Sequence, residues 1–238
     1  MSRPYRPRSI AMTRCRVSQE QQSVFHAVYP ASAPGSYSYS NFKTDVQKAL
    51  AAKFGQAVTP GKRAIAIAAD GKRRRADVIV AALFRDYDAF PSLAGAVYTE
   101  GVCFLTSDWT RIVNYPRQHS TNCTTKHQGT NGWFKPSVRI LKNLRRCLVD
   151  DGKIETGTAP SYFLEGLLYN LPVQYFGSSY QETIGNALGW LNGLSAEETA
   201  KLVCANERYY LVRDYNVTWA PAKYSSFLAA ATQLWNNW

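Results

Sequence analysis

The chain has 238 residues, 45% of them hydrophobic, 13% aromatic and 19% charged, a balance that belongs to a folded globular protein and excludes disordered and fibrous classes. It contains no run of eighteen apolar residues, and Arg3, Arg6, Arg8, Arg14 and Arg16 have no apolar stretch behind them, so the reading is no membrane span, no secretory leader and a cytoplasmic location. Lys+Arg 28 against Asp+Glu 17 leaves a net +11, which points to a polyanionic partner.

The charge is clustered. After the N-terminal arginines, a second group lies at Lys62, Arg63 and Lys72 to Arg75, and a third at Lys135, Arg139, Lys142, Arg145 and Arg146. Nucleotide phosphates or nucleic acid are the expected partners, while the first cluster reads more simply as a solvated basic face. Cys15, Cys103, Cys123, Cys147 and Cys204 are odd in number and form no Cys-x-x-Cys, so reduced thiols are expected.

Residues 1–36, with Pro4, Pro7, Pro30 and Pro34, read as an irregular basic arm that carries at most a short helix over 19–28. Phe42, Val46, Ala49, Leu50 and Phe54 then recur at a helical period, with Ser40 as the expected cap and Gly55 as the stop. The runs 64–69 and 74–82 flank Asp70-Gly71 and predict a hairpin. Two further strands are expected at 102–105 and 110–114, followed by a polar, turn-like stretch over 115–132.

From Phe134 the period is helical. Phe134, Val138, Ile140, Leu141, Leu144 and Leu148 form one apolar face; helices are also expected over 161–171 after Pro160, over 180–191, and from Pro221 to 235. Strands early and helices late predict an α+β protein: a basic arm (1–36), a partial mixed sheet domain (37–130) and a helical lobe (131–238).

Asp77 is the first candidate for chemistry. It follows Lys72-Arg73-Arg74-Arg75 and opens the run Val78-Ile79-Val80, where a rigidly held carboxylate suits a hard divalent cation. The plainer alternative is an ion pair with one of the arginines. Asp86-x-Asp88, further along, reads as a surface turn.

Five segments in order resemble the nucleotidyltransferase superfamily branch of oligoadenylate synthases, cyclic GMP-AMP synthase and the bacterial cyclic-oligonucleotide synthases. They are Tyr39 to Val46, Lys53-Phe54-Gly55, Arg75 to Val80, Phe134 to Lys142 and Pro160 to Glu165, and the resemblance covers about 37–235. It implies a nucleotidyltransferase-like sheet followed by a helical lobe. It further implies Mg²⁺-dependent transfer of a nucleotidyl group from a nucleoside triphosphate to a hydroxyl, giving linear or cyclic oligonucleotide signals of the antiviral kind.

By the same resemblance Asp77 is a catalytic metal carboxylate, Lys142 and Ser161 grip the donor triphosphate, and Tyr162 stacks on a base. A lysine is a point charge for phosphate, a hydroxyl donates to its oxygens, and an aromatic face is worth about 1–3 kcal/mol per stacked base. Taken alone, Lys142 reads as a solvated helix charge, Ser161 as a cap and Tyr162 as core.

One feature of the family pattern is missing. The Gly-Ser turn followed by an acidic pair that is expected upstream of Tyr39 is not found: Gly35-Ser36 runs directly into the helix, and residues 1–36 hold no Asp and a single Glu, Glu20. Two metal ions bridging the attacking and leaving oxygens need more than one carboxylate. The expectation is therefore an incomplete magnesium site and impaired turnover, from a truncated or a catalytically dead relative. The alternative is a non-catalytic protein that binds nucleotide or nucleic acid through its basic clusters, and pairing with a homologue or a second copy is a further expectation.

Finally, His119-x₃-Cys123-x₃-His127 carries zinc-ligating residue types, with Cys103 or Cys147 available as a fourth. The spacing is not a common zinc signature, and the Thr-, Asn- and Gly-rich context reads as an exposed loop, which favours coincidence.

Overall fold

In the computed structural model, residues 17–29 and 37–237 are described; the N-terminal arginines, Cys15 and Gly35-Ser36 lie outside them. The chain divides into two compact units, 1–114 and 115–238. The strands fall in the first and most of the helices in the second, the α+β organisation expected.

The first unit opens with α1 (Gln19–Val28), at the place read as a short helix. Ser18 caps it by accepting from the Gln21 N–H at 3.3 Å. The helix is packed: Phe25 sits edge-on to Tyr87 and Phe90 at ring distances of 5.4 and 5.1 Å, and Val17 is buried in the same cluster. The Gln21 side chain adds a directional tie, accepting from the Phe90 N–H at 2.8 Å.

Next comes α2 (Tyr39–Phe54), whose cap is Ser38 and not Ser40. Ser38 has extended backbone angles and accepts from the Asn41 N–H, whereas Ser40 already lies inside the helix, where a side chain cannot fill the cap role. Gly55 ends it with φ +57°, as expected.

The strands make two three-stranded antiparallel sheets. In one, β1 (Val58–Pro60), β2 (Ile65–Ile67) and β3 (Ala76–Val78) lie in that order, with Ala66 opposite Asp77. The hairpin at Asp70-Gly71 is present, with a longer connection (68–75) than a two-residue turn. Asp70 organises it by accepting from the Lys72 and Arg73 N–H groups at 3.1 and 2.8 Å.

In the other sheet, β4 (Ala82–Ala89) and β6 (Arg111–Asn114) flank β5 (Val97–Leu105). The single run expected over 74–82 is in fact broken, because pairing stops at Val78 and resumes with a new partner at Ala82. Tyr39 supports the junction, donating its hydroxyl to the Val80 carbonyl at 2.7 Å and accepting from the Leu105 N–H at 3.2 Å. Asp86-x-Asp88 is strand and not a surface turn: Asp86 is buried opposite Thr99, in register between Arg85 and Tyr87.

The second unit is helical: α3 (Pro116–Gly129), α4 (Phe134–Asp150), α5 (Ser161–Asn170), α6 (Tyr180–Gly193), α7 (Ala196–Thr199) and α8 (Pro221–Asn236). The turn-like reading of 115–132 was therefore wrong. Helix α3 has no apolar stripe, and Cys123 is its one buried residue. Pro116 starts it at a position that needs no N–H. Its polar side chains then hold it in place: Asn122 donates to the Ala205 carbonyl and Lys126 to the Leu171 carbonyl, at 2.8 and 2.6 Å.

Helix α4 buries Phe134, Val138, Leu141, Leu144 and Leu148 in a core shared with α5, α6, α8 and the 202–219 segment. Trp219 is enclosed there, donating its indole N–H to the Thr158 carbonyl at 2.7 Å. Gly166 lets α5 approach that segment, since a Cβ at this position would stand 2.7 Å from Leu211 Cδ1.

Candidate functional site

The α3–α4–α5 face of the helical unit brings several of the predicted residues together. Lys142 stands on α4 one residue after the buried Leu141, half-buried itself. Its ammonium donates to Glu165 Oε1 at 2.6 Å. Glu165, on α5, turns its other oxygen to His119 of α3, with Nε2 to Oε2 at 2.5 Å. One carboxylate thus joins three helices through two cationic groups.

These contacts set the charge states. Burial alone would lower the basicity of His119, but the contacts with Cys123 and Glu165 outweigh it and push its pKa up to about 9. Burial acts to raise the Glu165 pKa, and His119 and Lys142 together still hold it below the usual carboxylate range. Of the third basic cluster, Lys142 and Arg145 are both engaged within the fold, Arg145 donating to the Ala159 carbonyl at 2.9 Å. That cluster is not a plain solvated face.

Tyr162 stacks on the His119 imidazole with ring centres 4.5 Å apart and planes 19° from parallel. Its hydroxyl accepts from Asn206 at 2.8 Å, and burial raises its pKa. One face of the ring is therefore taken by a histidine. Ser161 is the first residue of α5, one position past Pro160, which occupies the cap site itself.

Asp77 belongs to the other unit. It lies on β3, an edge strand whose residues 76 and 77 are exposed. Arg75 approaches its carboxylate at 3.5 Å, the ion pair that formed the plainer alternative.

His119 and Cys123, four residues apart, share one face of α3, with Sγ 3.7 Å from Nε2. His127 does not join them. Eight residues of helix separate it from His119, a rise of about 12 Å, and its Nδ1 accepts from the Lys135 N–H at 3.4 Å instead. Glu165 takes the third place: the donor atoms of His119, Cys123 and Glu165 all lie within 4.8 Å of one another. Glu165 closes the Pro160 to Glu165 motif of the sequence, yet nothing in the linear order couples it to residues 119 and 142.

The sequence profile of the cGAS/DncV-like nucleotidyltransferase C-terminal helical domain matches residues 121–236. The "Cyclic UMP-AMP synthase" of Rhodothermus marinus is 33% identical over 204 residues, spanning 85% of this chain and 68% of that protein. The chain belongs to the cGAS/DncV-like nucleotidyltransferases.

Further members agree. "Cyclic nucleotide synthase CdnE01" of Staphylococcus haemolyticus is 31% identical over 207 residues, 85% of this chain and 68% of that one. The structure of the Rhodothermus marinus CdnE c-UMP-AMP synthase with Apcpp and Upnpp superposes with a TM-score of 0.77 at 32% identity, covering 93% of this chain and 72% of that chain. The Elizabethkingia meningoseptica CdnE cyclic dinucleotide synthase with GTP and Apcpp gives 0.71 at 28% identity, covering 89% and 74%. Within the cGAS/DncV-like nucleotidyltransferases these relatives are cyclic nucleotide synthases. Among the described residues, no helix is long and apolar enough to cross a membrane.

Proposed function

We propose that this chain binds the donor nucleoside triphosphate of a cyclic-nucleotide synthesis reaction on its helical unit, with Lys142 and Ser161 on the triphosphate and Tyr162 beside the base. The observation that carries the reading is the half-buried Lys142 ammonium, held at 2.6 Å by Glu165 on α5, the helix that Ser161 begins. A pre-positioned ammonium loses less side-chain freedom on meeting a phosphate than a free surface lysine would. Glu165 leaves two of the three Lys142 N–H donors over for phosphate oxygens. Tyr162 is fixed by His119 and Asn206 before any base arrives, which favours a defined stacking partner over an adaptable one.

Magnesium belongs to the reaction expected from the resemblance. A hard cation of this kind takes several oxygen ligands at once. Among the described residues Asp77 offers one exposed carboxylate, already 3.5 Å from Arg75, and no group of three converging His, Cys, Asp or Glu donors includes it. That arrangement supports an incomplete magnesium site in this chain. By itself this chain is expected to bind nucleotide with little turnover.

Calorimetric titration of the purified chain with ATP, UTP and GTP, with and without Mg²⁺, tests this. Binding that Lys142→Ala abolishes supports the donor site. Binding unchanged in that variant, or lost equally in Arg139→Ala on the exposed side of α4, overturns the assignment.

A further inference from the structure

We propose that His119, Cys123 and Glu165 form a site for one thiophilic divalent cation of the zinc kind, with three protein ligands and an open fourth position. The site does not depend on nucleotide binding, and it differs in chemistry from the all-oxygen coordination that magnesium prefers.

A histidine and a cysteine four residues apart are neighbours on a helix surface, and here both donors turn toward α5, the Sγ and Nε2 atoms standing 3.7 Å apart. Zinc binds sulfur at about 2.3 Å and nitrogen at about 2.0–2.1 Å, so tetrahedral donors of these types stand roughly 3.5 Å from each other. The sulfur–nitrogen edge of a zinc tetrahedron is thus already in place.

Glu165 supplies the third corner. Its Oε2 is 2.5 Å from Nε2, closer than a tetrahedral edge, because a hydrogen bond now joins the two. A bound cation would exchange that hydrogen bond for bonds to the metal, with the carboxylate adjusting slightly about its Lys142 contact. The sulfur, nitrogen and oxygen donors of the three residues all lie within 4.8 Å of one another. All three side chains are mostly enclosed, with His119 at 14% and Glu165 at 25% side-chain exposure and Cys123 buried.

The surroundings are those of a supported ligand set. The imidazole plane is fixed by the stacked Tyr162 ring, itself held through its hydroxyl by Asn206. The second oxygen of Glu165 is held by Lys142 at 2.6 Å, which orients the carboxylate. His119 presents Nε2 to the cluster. A mixed sulfur–nitrogen–oxygen set selects zinc-like ions over magnesium and calcium. Among the described residues this is the one place where three such donors converge.

The test uses the full chain, stripped of metal and titrated with Co²⁺ and then Zn²⁺. One equivalent of cobalt is expected to give a thiolate-to-cobalt charge-transfer band in the near ultraviolet, displaced by one equivalent of zinc. Cys123→Ser should abolish the band, His119→Gln should weaken binding at least tenfold, and Cys147→Ser, away from the site, should leave both unchanged. No band at one equivalent, or a band that survives Cys123→Ser, overturns the proposal. If Cys123→Ser does not fold, X-ray absorption of the zinc-loaded natural chain decides. One sulfur at about 2.3 Å with nitrogen and oxygen at about 2.0–2.2 Å supports the site, and a shell without sulfur or with two sulfurs refutes it.

Discussion

Asn170 pairs twice with the backbone of Val203, donating from Nδ2 to its carbonyl at 2.7 Å and accepting its N–H at 3.0 Å. The side chain acts as a short piece of strand, closing the end of α5 onto the irregular 202–219 segment that would otherwise leave both groups unpaired. Asn170→Ala removes both bonds, and stranding partly buried backbone groups costs about 1–3 kcal/mol. Thermal unfolding should show a clear drop in midpoint, and Asn170→Asp, which keeps the acceptor and loses the donor, should fall between the two. An alanine variant as stable as the natural chain would mean that water satisfies Val203 equally well.

Gly166 and Leu211 set a second test, one of sign. A methyl group at 166 meets Leu211 Cδ1 at 2.7 Å, and Leu211 is fully enclosed, so it cannot swing aside. Overpacking costs about 1–3 kcal/mol, against about 1 kcal/mol gained by replacing glycine inside a helix. Gly166→Ala should therefore destabilise the natural chain and stabilise a Leu211→Ala background, where the space is open. Equal effects in the two backgrounds, measured by urea unfolding, would show that the contact does not decide the outcome.

Cysteine reactivity follows from burial. The Cys204 thiol is pushed up to about 12 by its enclosure, and its hydrogen is directed at the Tyr210 carbonyl. At pH 8 about one molecule in ten thousand carries the reactive thiolate. Alkylation timed by mass spectrometry should label the half-exposed Cys147 early and Cys204 only at the rate of unfolding. Labelling of Cys204 as fast as Cys147 under native conditions would contradict its enclosure.

Asp108 gives a pH prediction. The Lys62 ammonium at 2.8 Å, followed by the Thr106 hydroxyl, holds its carboxyl well below the usual carboxylate range. A depressed folded-state pKa adds stability that is present above the unfolded value of about 3.9 and is lost as the pH falls through the folded one. Both partners are exposed, so the effect is local to the 106–110 loop, where Trp109 is held at φ +62°. In Lys62→Met the Asp108 titration, followed by NMR, should move up toward ordinary aspartate. A titration unmoved by the substitution would remove Lys62 as the cause.

Elements that bury an apolar stripe were legible in the sequence. Helix α4 announces itself because Phe134, Val138, Leu141, Leu144 and Leu148 must all face one core, and α5, α6 and α8 follow the same logic. Helix α3 was invisible for the complementary reason: its place is set by Asn122 and Lys126 bonding to carbonyls 83 and 45 residues away, which no local period records. Strand β4 was hidden by its mixture of Arg85, Asp86 and Asp88 with aromatics, where cross-strand contacts such as Arg85 over the Tyr98 ring replace simple alternation. In the site, His119 and Cys123 could be paired by spacing alone. Their meeting with Glu165 depends on how three helices pack, which only the tertiary structure supplies.

The way α3 is fastened has a consequence for how it comes loose. A helix docked by grease exposes apolar surface when it leaves, and its departure is therefore favoured by urea in proportion to that surface. Helix α3 exposes little beyond Cys123 and the groups its polar side chains had been holding. Its amides should therefore exchange through openings that urea barely accelerates, while those of α4 exchange only with the whole unit. The helix that carries His119 and Cys123 is in effect a latch closed more by bonds than by burial, and it should lift before the rest of the core opens.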